Sequence, residues 1–315
     1  MKALRRLLAA AVTGGALCGS PGAALARLDV VVTIKPIHSL VTQLMDGVGT
    51  PRLLVDGAAS PHSFALKPSG VRAVQNADVF VRVSETLEPF TAKIVSGLPK
   101  SVDVVTLEEA PNLRLLDRRT SGTFGVHRHG GDDDRSRNGK DGHVWLDPDN
   151  AKAIVAYLAK TFSARSPADA KKINANAAKL AARIDAMAAD IENETRPLRG
   201  RPFVVFHDAF QYFETRFGLD AAGSITVSPQ VQPSAKRLRE LRERIRLLGA
   251  VCVFAEPAVQ PNLLTAVTEG TQARSGTLDA EGLTLGPGAD LYFELMSNLT
   301  SELKGCLERT QMGKK

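Results

Sequence analysis

From residue 28 onward, short β-branched runs alternate with stretches whose apolar residues recur every three or four positions. "LDVVVTI" (28–34) predicts a strand, and "KPIHSLVTQLMDGVG" a helix after it. "RLLV" (52–55) predicts a second strand, ending in the turn "DGAASPHSF". "PSGVRAVQNA" then reads as a helix, "DVFVRVS" as a strand, "LEPFTAKIVSGL" as a helix and "VDVVTL" as a strand. Strands separated by helices imply βαβ units and a largely parallel sheet.

Residues 107–142 break the pattern and contain no convincing element; a loop of that length in a compact domain is functional or disordered as a rule. "PDNAKAIVAYLAKTF" is helical, and "SPADAKKINANAAKLAARIDAMAADIENETRPL" is one long Ala-rich helical pattern opened by Ser166 and Pro167. At ~1.5 Å per residue its roughly thirty residues span about 45 Å, the length of a strut between two lobes. The alternation resumes with "PFVVF" (202–206), a helix from "DAFQYFETRFG", "SITV", a helix over 234–248 and "AVCVFAE". That helix sets Leu238, Leu241, Ile245 and Leu248 on one stripe, with Lys236, Arg237, Arg239, Arg242 and Arg246 opposite. The basic face reads as solvated surface rather than a docking site. The fold class is therefore α/β: two lobes, each a mostly parallel sheet with flanking helices, joined by a long rigid backbone helix. The expected limits are 27–165 for the first lobe, 166–198 for the linking helix and 199–315 for the second lobe, with the polar loop at about 107–142.

Residues 1–26 stand outside this scheme. Lys2, Arg5 and Arg6, an apolar run and the small-x-small site Ala24-Leu25-Ala26 predict a secretory signal peptide cleaved after about Ala26. The apolar run is too short and too Gly-rich to span a bilayer, and Cys18 lacks the small preceding residue of a lipobox. Three basic residues leave with the leader and lower the formal charge of +6 by three, so the mature chain carries no argument for nucleic acid or acidic lipid. The expected location is the periplasm. Cleavage leaves two cysteines, Cys252 and Cys306, which in an oxidising compartment predict a disulfide; the alternative is a pair of buried thiols.

Three of the six histidines fall within 125–150. His127 and His129, with Asp132, Asp133 and Asp134, lie in a polar stretch that cannot form a core, whereas His143 directly precedes the apolar anchor "VWL". His62 lies just past one predicted strand and His207 ends another, and Asp279 closes the run "SGTLD". Ligands of open α/β sheets bind outside strand ends of this kind. Three imidazoles and a carboxylate make a tetrahedral zinc set. A single strand-end histidine is more often a hydrogen-bonded cleft residue, and the spacing matches no short metal motif. His38, in the first turn of the first helix, reads as a neighbour of the cleft. The chain has no H-E-x-x-H, G-x-S-x-G, Walker A or C-x-x-C pattern. Its scarcity of Tyr and Trp argues against a stacking surface for sugars or single strands.

"DGAASPHSFALKPSGVRAVQNADVFVRV", "HVWLDPDNAKAI", "FVVFHDAFQYFETRFGL", "VQPSAKRLRELRE", "CVFAEPAVQP" and "GTLDAEG" resemble, in order, blocks of the zinc-binding branch of the cluster 9, or A-I, solute-binding proteins of ABC transporters. The resemblance covers essentially the whole mature chain. It implies two α/β lobes on a helical backbone with the metal between them, and His62, His143 and His207 as ligands. Asp279 matches the family's C-terminal carboxylate and is expected to bind directly or through water. The resemblance also implies a Cys252–Cys306 disulfide, and gives His127, His129 and Asp132 to Asp134 the place of an accessory metal-collecting loop. Some zinc-branch members carry Glu before the first ligand, where this chain has Pro61, so that position offers no donor.

The expected function is capture of Zn²⁺ outside the cytoplasm and its delivery to the membrane permease of a zinc ABC transporter, by a monomer that catalyses nothing and binds no nucleic acid. Two rivals stay open. One is a manganese or iron binder of the same fold, which imidazole ligands disfavour. The other is a zinc hydrolase, for which Glu85 or Glu256 would have to serve as general base.

Overall fold

Val30–Val32 (β1) is buried on every residue, and an all-valine run has no polar face to turn to water. A computed structural model of the protein describes residues 27–119, 139–226, 234–257 and 261–308. The predicted leader and the loop residues His127, His129, Asp132, Asp133 and Asp134 lie outside the described residues. After β1 come helix α1 (Lys35–Leu44), strand β2 (Arg52–Leu53), helix α2 (Pro68–Gln75), strand β3 (Val79–Arg82), helix α3 (Ala92–Ser96) and strand β4 (Asp103–Thr106). All pairings are parallel, in the order β2-β1-β3-β4. The run "RLLV" is a strand over two residues only, although Leu54 and Val55 still donate to Val32 and Thr33.

Helix α4 (Pro148–Arg165) starts where Asp147 accepts the Asp149 amide at 2.9 Å and Pro148 fills the first helical position. Helix α5 (Ala170–Thr195) is the predicted strut, 26 residues and so about 39 Å long. It is shorter at both ends than the sequence pattern. The Ser166 hydroxyl bonds the Asp169 carboxylate in an opening turn, and Pro197, with no amide hydrogen, sits in a closing 3₁₀ turn.

The second sheet repeats the first in layout. It contains β5 (Phe203–His207), α6 (Gln211–Phe217), β6 (Ala221–Thr226), α7 (Ala235–Leu248), β7 (Cys252–Ala255), α8 (Pro261–Thr268), β8 (Arg274–Thr277) and α9 (Leu291–Leu307). Its strands are parallel in the order β6-β5-β7-β8. On α7, Leu241 and Ile245 are buried as the stripe predicts. The opposite face is less idle than expected: Arg237 and Arg244 donate to the Ser224 and Ala222 carbonyls, and Arg242 to that of Ala266.

One apolar cluster runs through both sheets, from Val32 and Ile37 through Phe162 and Ile184 to Phe203 and Met296. Smaller clusters around Phe80 and Val253 cover the outer sheet faces. The lobes therefore share a core, which makes a wide hinge motion costly. The predicted disulfide is present: Cys252 on β7 bridges to Cys306 on α9 with the Cα atoms 6.2 Å apart. Among the described residues no helix is long and apolar enough to cross a membrane.

Candidate metal centre

Three separate devices bring three histidines to one place. His62 sits in a turn beyond β2, and His207 is the last residue of β5. His143 precedes a 3₁₀ turn, Val144–Leu146, whose three residues are buried. Trp145 in that turn is fully buried and its Nε1 donates to the Ala280 carbonyl at 2.8 Å, so the anchor that presents His143 also reaches the segment that follows β8. The side-chain ligand atoms of His62, His143 and His207 lie within 4.8 Å of one another. Their ring centroids form a near-equilateral triangle of 5.4, 5.3 and 5.1 Å. Two nitrogens on one tetrahedral zinc stand about 3.3 Å apart, so small side-chain movements close the set around one ion.

Carboxylates behind the rings orient two of them. His143 Nδ1 donates to Asp141 Oδ1 at 2.7 Å, and the same oxygen accepts the His143 amide at 3.0 Å. His207 Nδ1 donates to Glu256 Oε1 at 2.8 Å. With Nδ1 carrying the proton, Nε2 is left as the free donor, the arrangement in which a carboxylate–histidine pair binds metal. Nε2 of His62 and of His143 are buried without a hydrogen-bond partner. Leaving such atoms unpaired is costly, and a metal ion would satisfy both.

The electrostatics differ from ring to ring. Burial, then the neighbouring His143, His207 and Arg118, push the His62 pKa down to about 2, which keeps that ring neutral and ready to ligate. Burial also opposes a charge on His207, but Glu256, with Asp208 and Asp141 behind it, outweighs it and the pKa rises. Beneath the site, Arg119 pairs with Glu214 at 2.8 Å and with Asp208 at 3.5 Å. Burial nevertheless pushes Asp208 up to about 7. The histidines open onto a pocket of about 420 Å³, part of it open solvent, rimmed by Arg118, Lys140 and Thr86.

Asp279 is not brought into this group. Its Oδ1 accepts the amides of Glu281 and Leu283 at 3.3 and 2.9 Å, and its Oδ2 accepts the Thr284 amide and hydroxyl, both at 3.0 Å. A carboxylate has about four acceptor sites, so its own turn consumes it, and the expectation of direct ligation finds no support in this arrangement. His38 also stands apart, with Nε2 on the Pro51 carbonyl at 3.1 Å. Of the two bases considered for hydrolysis, Glu85 is exposed and Glu256 is bound to His207.

Sequence reasoning missed Asp141 and Glu281. Asp141 lies two residues before His143, a spacing at which a side chain can reach both the amide and the ring. Glu281 is largely buried, 3.8 Å from His62, and its carboxyl is pushed well above the usual range by burial and then by Glu256 and Asp279.

The family described as "Zinc-uptake complex component A periplasmic", ZnuA, matches residues 30–306. The high-affinity zinc uptake system protein ZnuA of Brucella suis is 40% identical over 335 residues, covering 98% of this chain and all of the relative. The structure of the solute-binding protein FpvC of Pseudomonas aeruginosa with Mn²⁺ superposes with a TM-score of 0.76 at 18% identity, covering 90% of this chain and 99% of that one. The Zn(II)-bound ZnuA-like domain of Streptococcus pneumoniae AdcA gives a TM-score of 0.69 at 23% identity, covering 90% and 100%. At these identities the structural likenesses speak for the fold alone.

Proposed function

Because the chain belongs to the ZnuA family of periplasmic zinc-uptake components, we propose that it captures one Zn²⁺ between its two sheets and delivers it to the permease of a zinc ABC transporter. The observation that carries this reading is the convergence of three imidazoles, two of them already held by carboxylates with Nε2 free. Imidazole suits zinc, whereas manganese prefers carboxylate and water. Capture costs little reorganisation, since a shared core fixes the elements that carry His143 and His207.

Export to the periplasm by a leader cleaved after about Ala26, action as a monomer and an accessory role for His127, His129 and Asp132 to Asp134 belong to the same proposal. No step of this task breaks a covalent bond. Each ligand must be unprotonated to bind, so zinc affinity falls as the solution is acidified. The test is competition against a chromophoric chelator, using protein stripped of metal and reloaded. The expected result is one site far tighter than roughly micromolar, lost in His62→Ala, His143→Ala and His207→Ala. A wild-type chain with no site tighter than that refutes the proposal.

A further inference from the structure

The backbone just before His143 is gripped from both sheets. From the second sheet comes Tyr212, fully buried on α6, the helix that follows the His207 strand. Its hydroxyl donates to the Asp141 carbonyl at 2.8 Å and accepts the Leu116 amide at 3.0 Å. The Asp141 amide in turn donates to the Leu116 carbonyl at 3.0 Å. One buried hydroxyl therefore ties the residue that orients the His143 ring to the helix behind His207.

From the first sheet comes Leu87, in the turn after β3 and 2% exposed. A Cβ on Gly142 would stand 2.9 Å from the Leu87 Cβ and 3.3 Å from its Cδ1. That is closer than two carbons can pack, so the chain between Asp141 and His143 lies against Leu87 as only glycine allows. The turn under Leu87 does not yield easily. Glu88, fully buried, folds back so that one carboxylate oxygen accepts the Val83 and Ser84 amides at 2.7 and 3.1 Å. The Ser84 hydroxyl oxygen accepts the Leu87 amide at 3.2 Å, and the Ser84 carbonyl accepts that of Glu88 at 3.0 Å. Breaking such buried bonds leaves polar groups unpaired, which is costly.

The geometry points to Tyr212 and Leu87 as positioning residues of the metal centre: a clamp on Asp141 and Gly142, one jaw from each sheet, that sets where the His143 ring stands between His62 and His207. This rests on the zinc reading above. His207 ends a strand of the second sheet and His62 extends from the first, so Tyr212 registers His143 against the one and Leu87 against the other. Both act through the backbone. The Tyr212 oxygen is spent on Leu116 and Asp141, and Leu87 has no donor to offer an ion. Zinc takes imidazole nitrogen at ~2.0–2.1 Å, so a ring displaced by roughly half an ångström misses by about a quarter of a bond length.

The test compares wild type with Tyr212→Phe, Gly142→Ala and the double variant Leu87→Gly/Gly142→Ala, each as the full mature chain stripped of metal. Tyr212→Phe removes one oxygen and keeps the ring. Gly142→Ala drives a methyl into Leu87, and Leu87→Gly in that background takes away the carbons it meets. Each protein is titrated with zinc against a chromophoric chelator and loaded with Co²⁺ to record the ligand-field absorption, with the apo melting temperature measured alongside. The expected loss of zinc affinity in Gly142→Ala is the ~10–100-fold that an outer partner costs, and in Tyr212→Phe the lower end of that range. Both are expected to shift the cobalt spectrum, and the double variant to recover spectrum and affinity toward wild type. A cobalt spectrum matching wild type in Tyr212→Phe or in Gly142→Ala overturns the clamp, however far the melting temperature has fallen. So does a double variant no better than Gly142→Ala, since the loss would then lie outside the meeting with Leu87. If Gly142→Ala does not fold, Tyr212→Phe decides alone. Wild-type protein lacking a tight zinc site would instead bring down the zinc reading itself.

Discussion

Replacing Asp141 with Ala removes the group that holds the His143 ring while leaving every proposed ligand in place. Asp141 is 4% exposed, and one of its oxygens takes both the ring Nδ1 at 2.7 Å and the amide of His143 at 3.0 Å. A hydrogen bond to a charged group is worth about 1.5–3 kcal/mol. Without it the ring can adopt the other tautomer or turn about its side-chain bonds, and binding must then supply the ordering. Loss of an outer carboxylate partner typically costs ~10–100-fold in metal affinity, or about 1.4–2.7 kcal/mol. Asp141→Asn keeps an acceptor in place and is expected to lose less than Asp141→Ala. The assay is zinc competition at neutral pH, with the melting temperature of each apo protein recorded alongside. Should Asp141→Ala bind zinc within about twofold of wild type, the buttress does not matter and the preorganisation argument fails.

Reducing the Cys252–Cys306 bridge, which spans a sequence separation of 54, is expected to lower unfolding stability by up to roughly 4 kcal/mol; denaturant titration with and without reductant measures this, and thiol labelling of the unfolded, unreduced mature chain, which lacks Cys18, should find no free sulfhydryl. Deleting residues 124–136 is expected to leave the tight zinc site intact, because Asp141 and His143 remain, and to remove any second, weaker zinc equivalent in the same titration. Burial pushes Glu88 up to about 7, so between its ordinary value near 4.5 and that value the folded state holds the extra proton and stability falls as pH rises. By linkage the fall is roughly 3 kcal/mol at most, and Glu88→Gln should flatten the pH dependence of the melting temperature across that window.

Much of the fold is legible because strands buried on both faces leave a simple mark. "LDVVVTI", "DVFVRVS" and "VDVVTL" each contain the strand found in the structure, "PFVVF" falls one residue short of its end at His207, and the helical patterns between them force parallel pairing. The meeting of the histidines is legible for a related reason: His62 lies beyond β2 and His207 ends β5, and ligands of such sheets bind outside strand ends. Asp279 shows where this logic stops. A carboxylate after a strand reads the same whether it faces the cleft or caps its own turn, and only the amides of Glu281, Leu283 and Thr284 distinguish the two. Lys35 is illegible for a different reason. Its partners lie about 250 positions away, and nothing local in "TIKPIHSL" marks its ammonium as one that will be buried. The shared core was hidden in the same way, since periodicity shows that α1, α5 and α9 have apolar faces and not that the faces meet.

The most direct test of the account is a crystal structure of the zinc-loaded protein with anomalous scattering recorded at the zinc edge. The predicted result is one dominant peak inside the triangle of His62, His143 and His207, ~2.0–2.1 Å from a nitrogen of each ring. A dominant peak elsewhere, or one at that place touching fewer than three of these imidazoles, would contradict it.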